Sequence, residues 1–219
     1  MFDLKNVSYS YDGKVNALAD VTLQIPRGES VAIVGANGSG KTTLLRLLNG
    51  LIFPTSGVYR FDGERITRKA LAKTQFAKTF HRRVGFVFQN ADAQLFCGSV
   101  EDEIAFGPRQ LNLTEEEALE RVNDCLELLD ITRLRQRAPY SLSGGEKRRV
   151  AFAAVLALNP DALVADEPLA SLDEAGKELV VNLFKTLHAA GKTLVFATHS
   201  DELIAEVSAK RFKLESRRE

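Results

Sequence analysis

Gly35-Ala36-Asn37-Gly38-Ser39-Gly40-Lys41-Thr42 decides the fold. The stretch fits the phosphate-loop pattern G-x-x-x-x-G-K-[ST] at every fixed position. Its flanks agree. Ser30-Val31-Ala32-Ile33-Val34 is a β-branched apolar run that predicts a buried parallel strand. Thr42-Thr43-Leu44-Leu45-Arg46-Leu47-Leu48 lacks Gly and Pro and predicts a helix. Glycines let the backbone curl until successive N–H groups face phosphate oxygens. The helix N-terminus adds partial positive charge. Lys41 is placed to reach the β- and γ-phosphates, and the Thr42 hydroxyl to ligate Mg²⁺. A tight turn matching by chance would lack this strand–loop–helix context, so the stretch is read as a nucleotide site.

Composition narrows the rest. A chain of 219 residues can bury one α/β domain or two small ones. Lys plus Arg total 29 and Asp plus Glu total 29, a balance that gives no long-range attraction for nucleic acid. The longest uninterrupted apolar run, Val150 to Leu158, is far short of the ~20 residues that span a bilayer. Met1-Phe2-Asp3-Leu4-Lys5 shows no signal-peptide core. Cys97 and Cys125 are too few for a disulfide framework and lack metal-ligand spacing, so they read as reduced thiols of a cytoplasmic protein.

Upstream of the phosphate loop, residues 2–9 and 17–25 predict two strands. Val21, Leu23 and Ile25 alternate with Thr22 and Gln24, as in a half-exposed antiparallel strand. Tyr11 sits in the polar loop between them. A tyrosine in a turn is ordinarily surface, and its flat face is also a platform for an adenine ring. Downstream, Asn49-Gly50 stops the helix, Pro54 to Gly57 is a turn, and Val58 to Phe61 is a short strand ending at Asp62-Gly63. Residues 65–83 are basic and weakly helical. Gly85-Phe86-Val87-Phe88 predicts a second buried strand with Gln89 at its C-terminal end, where doubly wound sheets hold their ligands. A glutamine there either closes the strand or touches a metal ion or phosphate.

Between residues 99 and 159 helical periodicity takes over, with Ala118, Val122, Cys125, Leu126 and Leu129 on one stripe and a capping box at Thr114 and Glu117. Leu142-Ser143-Gly144-Gly145-Glu146 repeats that box spacing, as an ordinary helix start would. Its paired glycines also expose N–H groups, which makes an anion site. Lys147, Arg148 and Arg149 place positive charge where the macrodipole disfavours it, and the sequence therefore asks for an anionic partner. After Asn159-Pro160 the run Ala162 to Ala165 predicts a strand, followed by Asp166-Glu167-Pro168. Carboxylates at the end of a buried strand in a phosphate-loop protein suit Mg²⁺ coordination and activation of water. Residues 174–190 predict a helix closed by Gly191. Thr193 to Ala197 predicts a buried strand that ends at Thr198-His199, on the edge that carries Asp166 and Gln89, within reach of a γ-phosphate. Ser208 to Glu219 reads as a short strand with a charged end.

These motifs together closely resemble the ATP-binding cassette (ABC) ATPase family, from about residue 2 to residue 214. Leu142 to Glu146 resembles the family signature. The resemblance implies an α/β fold: a P-loop NTPase core with a parallel sheet, an N-terminal antiparallel β subdomain and an inserted α-helical subdomain. One domain over 1–219 would divide into core 1–88 and 160–219, with the helical part over about 89–159. It also implies the roles. Tyr11 would stack on adenine, and Gly35, Ala36, Asn37, Gly38, Ser39, Gly40, Lys41, Thr42 and Thr43 would cradle the phosphates of ATP. Thr42 and Gln89 would bind Mg²⁺, with Asp166 holding it through water. Glu167 would be the general base, acting with Lys41, Gln89 and His199 at the γ-phosphate. The family acts as a head-to-tail dimer, in which Ser143, Gly144 and Gly145 of one subunit close on ATP held by the other, and Ser171-Leu172-Asp173 crosses between them.

A narrower resemblance rests on Phe88-Gln89-Asn90-Ala91-Asp92-Ala93-Gln94-Leu95-Phe96 and Glu103-Ile104-Ala105-Phe106-Gly107-Pro108. These are similar to the ATPase subunits of energy-coupling-factor transporters, the importers of cobalt, nickel, biotin and other vitamins. The chain departs from them at Ala91 and Ala93, where Pro and Asp are usual, and at Ser171 and Glu174, where Gly and Pro are commoner. It also resembles them without the C-terminal domain that many carry. The resemblance implies a motor subunit on the cytoplasmic face of the membrane, paired with itself or a related ATPase. It would dock a membrane component around Gln89 to Gly107. Leu95 and Phe96 are expected to form an exposed patch, while Ile104 and Phe106 either join it or pack the insertion against the core. The alternative is a soluble relative acting on nucleic acid or the ribosome. Those carry coiled-coil insertions, a second cassette or basic surfaces, which this sequence does not show.

Overall fold

The computed structural model describes residues 1–111 and 113–215. Alternation builds the first sheet. β1 (Phe2–Ser10) pairs antiparallel with β2 (Asn16–Ile25), Phe2 opposite Ile25 and Leu4 opposite Leu23. Val21, Leu23 and Ile25 are buried while Thr22 and Gln24 are exposed, as a sheet with one wet face requires. The second sheet is parallel. It contains β3 (Ser30–Val34), which leads into the phosphate loop and α1 (Lys41–Leu48). β4 (Ser56–Phe61) and β5 (Glu64–Arg65) return to the first sheet, whose order is β2-β1-β4-β5. The basic, weakly helical stretch forms two helices, α2 (Arg68–Leu71) and α3 (Thr74–Arg83).

β6 (Val84–Val87) then enters the parallel sheet. Three helices separate it from the next strand: α4 (Val100–Gln110), α5 (Glu115–Leu128) and α6 (Gly144–Leu156). Thr114–Glu117 and Ser143–Glu146 both form full capping boxes, in agreement with their spacing. β7 (Ala162–Asp166), α7 (Glu174–Ala189), β8 (Thr193–Ala197), α8 (Asp201–Glu206) and β9 (Lys210–Lys213) complete the chain. The strand order is β6-β7-β8-β3-β9. Residues 216–219 of the expected charged tail lie outside the described residues. Cys97 and Cys125 are unpaired.

Both faces of the parallel sheet are covered, which is why its strands are apolar on both sides. Leu163, Ala165, Leu194 and Phe196 share one core with α4 to α7. Val164, Val195 and Ala197, the residues between them, share the other with Val31 and Ile33 of β3 and with the antiparallel sheet. α1 belongs to that second core and touches β2, β7 and β8. Its Leu44, Leu45, Leu47 and Leu48 are all buried, since a helix wedged between two sheets has little wet surface. Gly85 lets β6 approach α6, for a Cβ there would sit 2.4 Å from Val155.

The wedge is pinned at its far end. Tyr59 of β4 is 1% exposed and its hydroxyl donates to the Leu48 carbonyl at 2.6 Å. That carbonyl is one of the four left over at a helix C-terminus. Tyr59→Phe strands it in the core, and we expect a loss of about 1–3 kcal/mol. Urea unfolding should show a lower midpoint with an unchanged slope. Tyr140→Phe, at a site 85% exposed, serves as the silent control. Equal midpoints for Tyr59→Phe and wild type would mean that another donor already serves Leu48.

Candidate active site

Four strand ends lie side by side in the parallel sheet: β6, β7, β8 and β3. Residues at or just past those ends, Gln89, Asp166, Glu167 and His199, line one cavity of about 350 Å³ together with Asn37, Gly38, Gly40, Lys41 and Thr42 of the phosphate loop and with Tyr11, Ala17 and Thr43, while Gly35, Ala36 and Ser39 do not line it. This is the carboxyl edge where the topology of an open α/β sheet creates a crevice. A larger hollow of about 1030 Å³, between β2 and residues 212–215, shares only Tyr11, Ala17 and Gly38 with it and lacks the carboxylates and histidine.

The loop is shaped for an anion. Gly40 holds φ +95°, and a Cβ there would meet the Ala17 carbonyl at 2.4 Å, so both conformation and space demand glycine. Gly40 is also the N-cap of α1, and no side chain caps that helix. Ser99, Thr114, Ser143 and Asp173 do cap theirs. The first N–H groups of α1 are thus left to bind something from outside. Ser39 Oγ is buried without a partner. Lys41 Nζ donates to the Gly35 and Ala36 carbonyls at 2.8 and 3.1 Å, a buried lysine whose hydrogen bonds go to backbone carbonyls alone. Uncapped N–H groups, an orphaned hydroxyl and an unpaired cation fit a phosphate chain.

The carboxylates complete the arrangement. Thr42 Oγ1 donates to Asp166 Oδ2 at 2.7 Å, joining the start of α1 to the end of β7. Among the described residues no three His, Cys, Asp or Glu side chains cluster as a metal site. A Mg²⁺ ion needs no such cage when a hydroxyl, one carboxylate and nucleotide oxygens share the work. Glu167 adopts φ +46°, a left-handed conformation uncommon for a non-glycine residue, with its N–H bonded to the Ala197 carbonyl at 3.0 Å. Burial lifts its carboxyl above the usual range; the Asp166 charge adds to this, while His199 and Lys41 oppose it. His199 Nε2 lies 3.5 Å from Glu167 Oε1, on an imidazole that is 60% exposed. The Tyr11 hydroxyl sits 3.2 Å from Thr43 Oγ1, and its ring meets Tyr9 edge-on.

Ser143, Gly144, Gly145 and Asp173 do not line this cavity. Asp173 caps α7 by accepting the Gly176 N–H at 3.0 Å. Gly145 packs against the Ser171 carbonyl, where a Cβ would lie 3.2 Å away. The cations after the signature overturn one expectation. Lys147 pairs with Asp92 at 2.6 Å, and Arg149 bonds the Asp130 carbonyl at 3.1 Å. Arg148, 1% exposed, points inward and donates to the carbonyls of Phe88, Gln89, Asp166, Glu167 and Pro168. Burial brings its guanidinium down to about 10, against the pull of Asp166 and Glu167. These internal partners offset the charge near the start of α6, so it calls for no external anion. A signal was present: Arg148 shares its helical stripe with Ala151, Phe152 and Val155, all buried.

The segment after Gln89 also differs from expectation. Of the two residues left open, Ile104 is buried and Phe106 joins Phe96 at the surface, whereas Leu95, expected in the patch, packs partly into the core. Their rings stack edge-to-face with centroids 5.0 Å apart, 68% and 45% exposed. Glu103, which the sequence did not single out, is buried and accepts the N–H groups of Phe96 and Cys97 at 2.9 and 2.7 Å. It fixes the backbone that presents the pair.

Known proteins match this picture. The chain matches the ABC transporter family over residues 18–170. It is 48% identical to a nickel import ATP-binding protein of Lactiplantibacillus plantarum, over 96% of this chain and 87% of that one. Among solved structures it resembles cbiO1 of Clostridium perfringens, described as part of the ABC transporter complex cbiONQ. There the TM-score is 0.83 at 33% identity, covering 98% of this chain and 84% of that one. It also resembles the dimeric ATP-binding cassette MJ0796 bound to ADP and Pi. That match has a TM-score of 0.87 at 31% identity and covers 100% of this chain and 97% of that one. With the family match running from residue 18 to residue 170, over more than half of the chain, and with a phosphate loop shaped for a nucleotide, the chain belongs to the ABC transporter family as one of its ATP-binding ATPase subunits.

Proposed function

We propose that this chain hydrolyses Mg-ATP to drive uptake of a metal ion or vitamin through a separate membrane component. The observation that carries the reading is the single edge where Gln89, Asp166, Glu167 and His199 face the phosphate loop. Lys41 would leave the loop carbonyls for the β- and γ-phosphates. Glu167, with its raised carboxyl, would take the proton of the attacking water, and His199 would contact the γ-phosphate. Thr42, Gln89 and Asp166 would hold Mg²⁺, which supplies neutralisation of charge at the β- and γ-oxygens. Tyr11 would face adenine. Two chains, identical or related, would meet head to tail so that Ser143, Gly144, Gly145 and Asp173 of one complete the site of the other. Support for this comes from the dimeric cassette it resembles and from the absence of those residues from the cavity of a single chain. No helix among the described residues is long and apolar enough to cross a membrane. The transporter complex of cbiO1 and the nickel importer support a place at the cytoplasmic face of the membrane, with the Phe96–Phe106 pair as the docking point.

Glu167→Gln should retain ATP binding and lose roughly 10²–10⁴-fold in turnover. It should also raise the melting temperature at neutral pH. A carboxyl lifted by burial stabilises the fold when protonated, below its ordinary value, and that contribution is lost as the pH rises through the lifted value. The gain from the amide is therefore full above that window and fades on acidification through it. Wild-type turnover by Glu167→Gln would remove Glu167 as the base.

Gel filtration tests the two-chain site. Glu167→Gln with Mg-ATP should elute as a dimer, and wild type with ADP as a monomer, since the nucleotide bridges both chains. The related ATPase is included where the pairing is mixed. Identical elution in both states would refute the shared site.

For docking, Phe96→Asp should free the chain from its membrane component while Mg-ATP affinity stays unchanged. An apolar anchor at an interface centre is worth about 2 kcal/mol, or roughly thirtyfold in affinity. Co-purification and nucleotide binding are measured together. A complex retained by Phe96→Asp with nucleotide affinity unchanged would remove Phe96 as the docking point.

A further inference from the structure

We infer that Arg148 is a positioning residue for hydrolysis: its buried guanidinium fixes the backbone of Glu167 and Gln89 and ties both to the helix that carries Ser143 and Gly145. The inference rests on the catalytic reading of Glu167 above.

The geometry is specific to a guanidinium. Arg148 lies in the second turn of α6 and reaches across to the ends of β6 and β7. Nη1 donates to the Phe88 carbonyl and, at 3.2 Å, to that of Gln89. Nη2 donates to the Asp166 carbonyl at 2.6 Å and to that of Glu167. Nε approaches the Pro168 carbonyl at 3.4 Å. Five contacts match the five N–H donors of the fork, and no lysine or glutamine can make them all. The face of the guanidinium also lies 5.6 Å from the Phe152 ring centre, which holds its plane.

The acceptors matter as much as the donor. Two adjacent parallel strands end here, and carbonyls past a strand end have no ladder partner. One of them belongs to Glu167, whose left-handed backbone must be held by its surroundings. Its N–H is fixed by Ala197, its carbonyl by Ala170 and Arg148. The direction of the Glu167 carboxylate follows from that backbone. Gln89 is held through its carbonyl by the same side chain, so the two site residues and α6 move as one unit. Lys147, one residue earlier, ties α6 to Asp92 just beyond Gln89.

Arg148→Lys keeps the charge and loses the fork. Turnover should fall about 100-fold, the cost of misplacing a reacting group by about 1 Å. KM for Mg-ATP should stay within a factor of about 3, because the phosphate loop is untouched. In the Glu167→Gln background the same change should cost clearly less than 100-fold, because one of the two site residues it positions has already been removed and only the part acting through Gln89 is left. A full, additive loss in that background, or an unchanged kcat in the single variant, overturns the inference. Arg148→Gln, shorter and neutral, carries the same test should the lysine prove unstable when buried. Hydrogen exchange needs no turnover. Residues 166–170 should exchange faster in Arg148→Lys while residues 41–48 stay protected, and an unchanged pattern refutes the positioning role. Absence of hydrolysis by wild type, alongside the altered exchange, would strike the proposed function and leave the positioning role standing.

Discussion

α1 is wedged between two sheets, and most of what the protein does depends on that confinement. The helix has almost no wet surface, so its first turn cannot shift without disturbing both cores. Its N-terminus therefore holds a set of uncapped N–H groups at a fixed point, beside the ends of four strands. The hydrogen bond from Thr42 to Asp166 transfers that fixed point to β7. The antiparallel sheet serves as the outer jaw of the wedge, and its loop brings Tyr11 to Thr43 of the same helix. A rigid anion cradle with carboxylates set beside it favours charge that develops in place, since no reorganisation is left to do when it appears.

Much of this was legible in the sequence because it is written locally. The phosphate loop, the two capping boxes and the apolar strands are set by residues within a few positions of one another, and all formed where the spacing put them. Gln89, Asp166 and His199 could be placed together because each follows a strand of one parallel sheet, whose strand ends share an edge. What could not be read locally is which polar groups are buried. Arg148 sits between two other cations, and only tertiary contact separates its fate from theirs. Glu103 likewise looks like one of several acids at the start of α4. Its burial follows from two backbone N–H groups at Phe96 and Cys97 that need an acceptor, a demand that is invisible until the chain turns back.

The misplacement of Leu95, and the undecided place of Phe106, have the same origin. Four apolar residues without periodicity give no face, so exposure could be assigned only by their polar neighbours in sequence. In the folded chain Phe106 lies on α4 one turn from buried Glu103, and it leans on Phe96 across the segment that Glu103 anchors. The exposed pair is therefore one structure built from two sequence-distant positions.

Arg148 and Glu103 together show how this protein treats buried charge. Each satisfies backbone groups that the fold leaves without partners: five carbonyls at strand ends for the cation, two N–H groups of an irregular segment for the anion. Neither is paired with an opposite side chain, so neither is an ion pair held for stability, and replacing either with an apolar residue would leave the backbone groups stranded. Both sit in the same part of the chain, one behind the nucleotide edge and one beneath the aromatic pair. Buried charge here is spent on holding irregular backbone still, at the two places where the surface must present side chains in a defined direction.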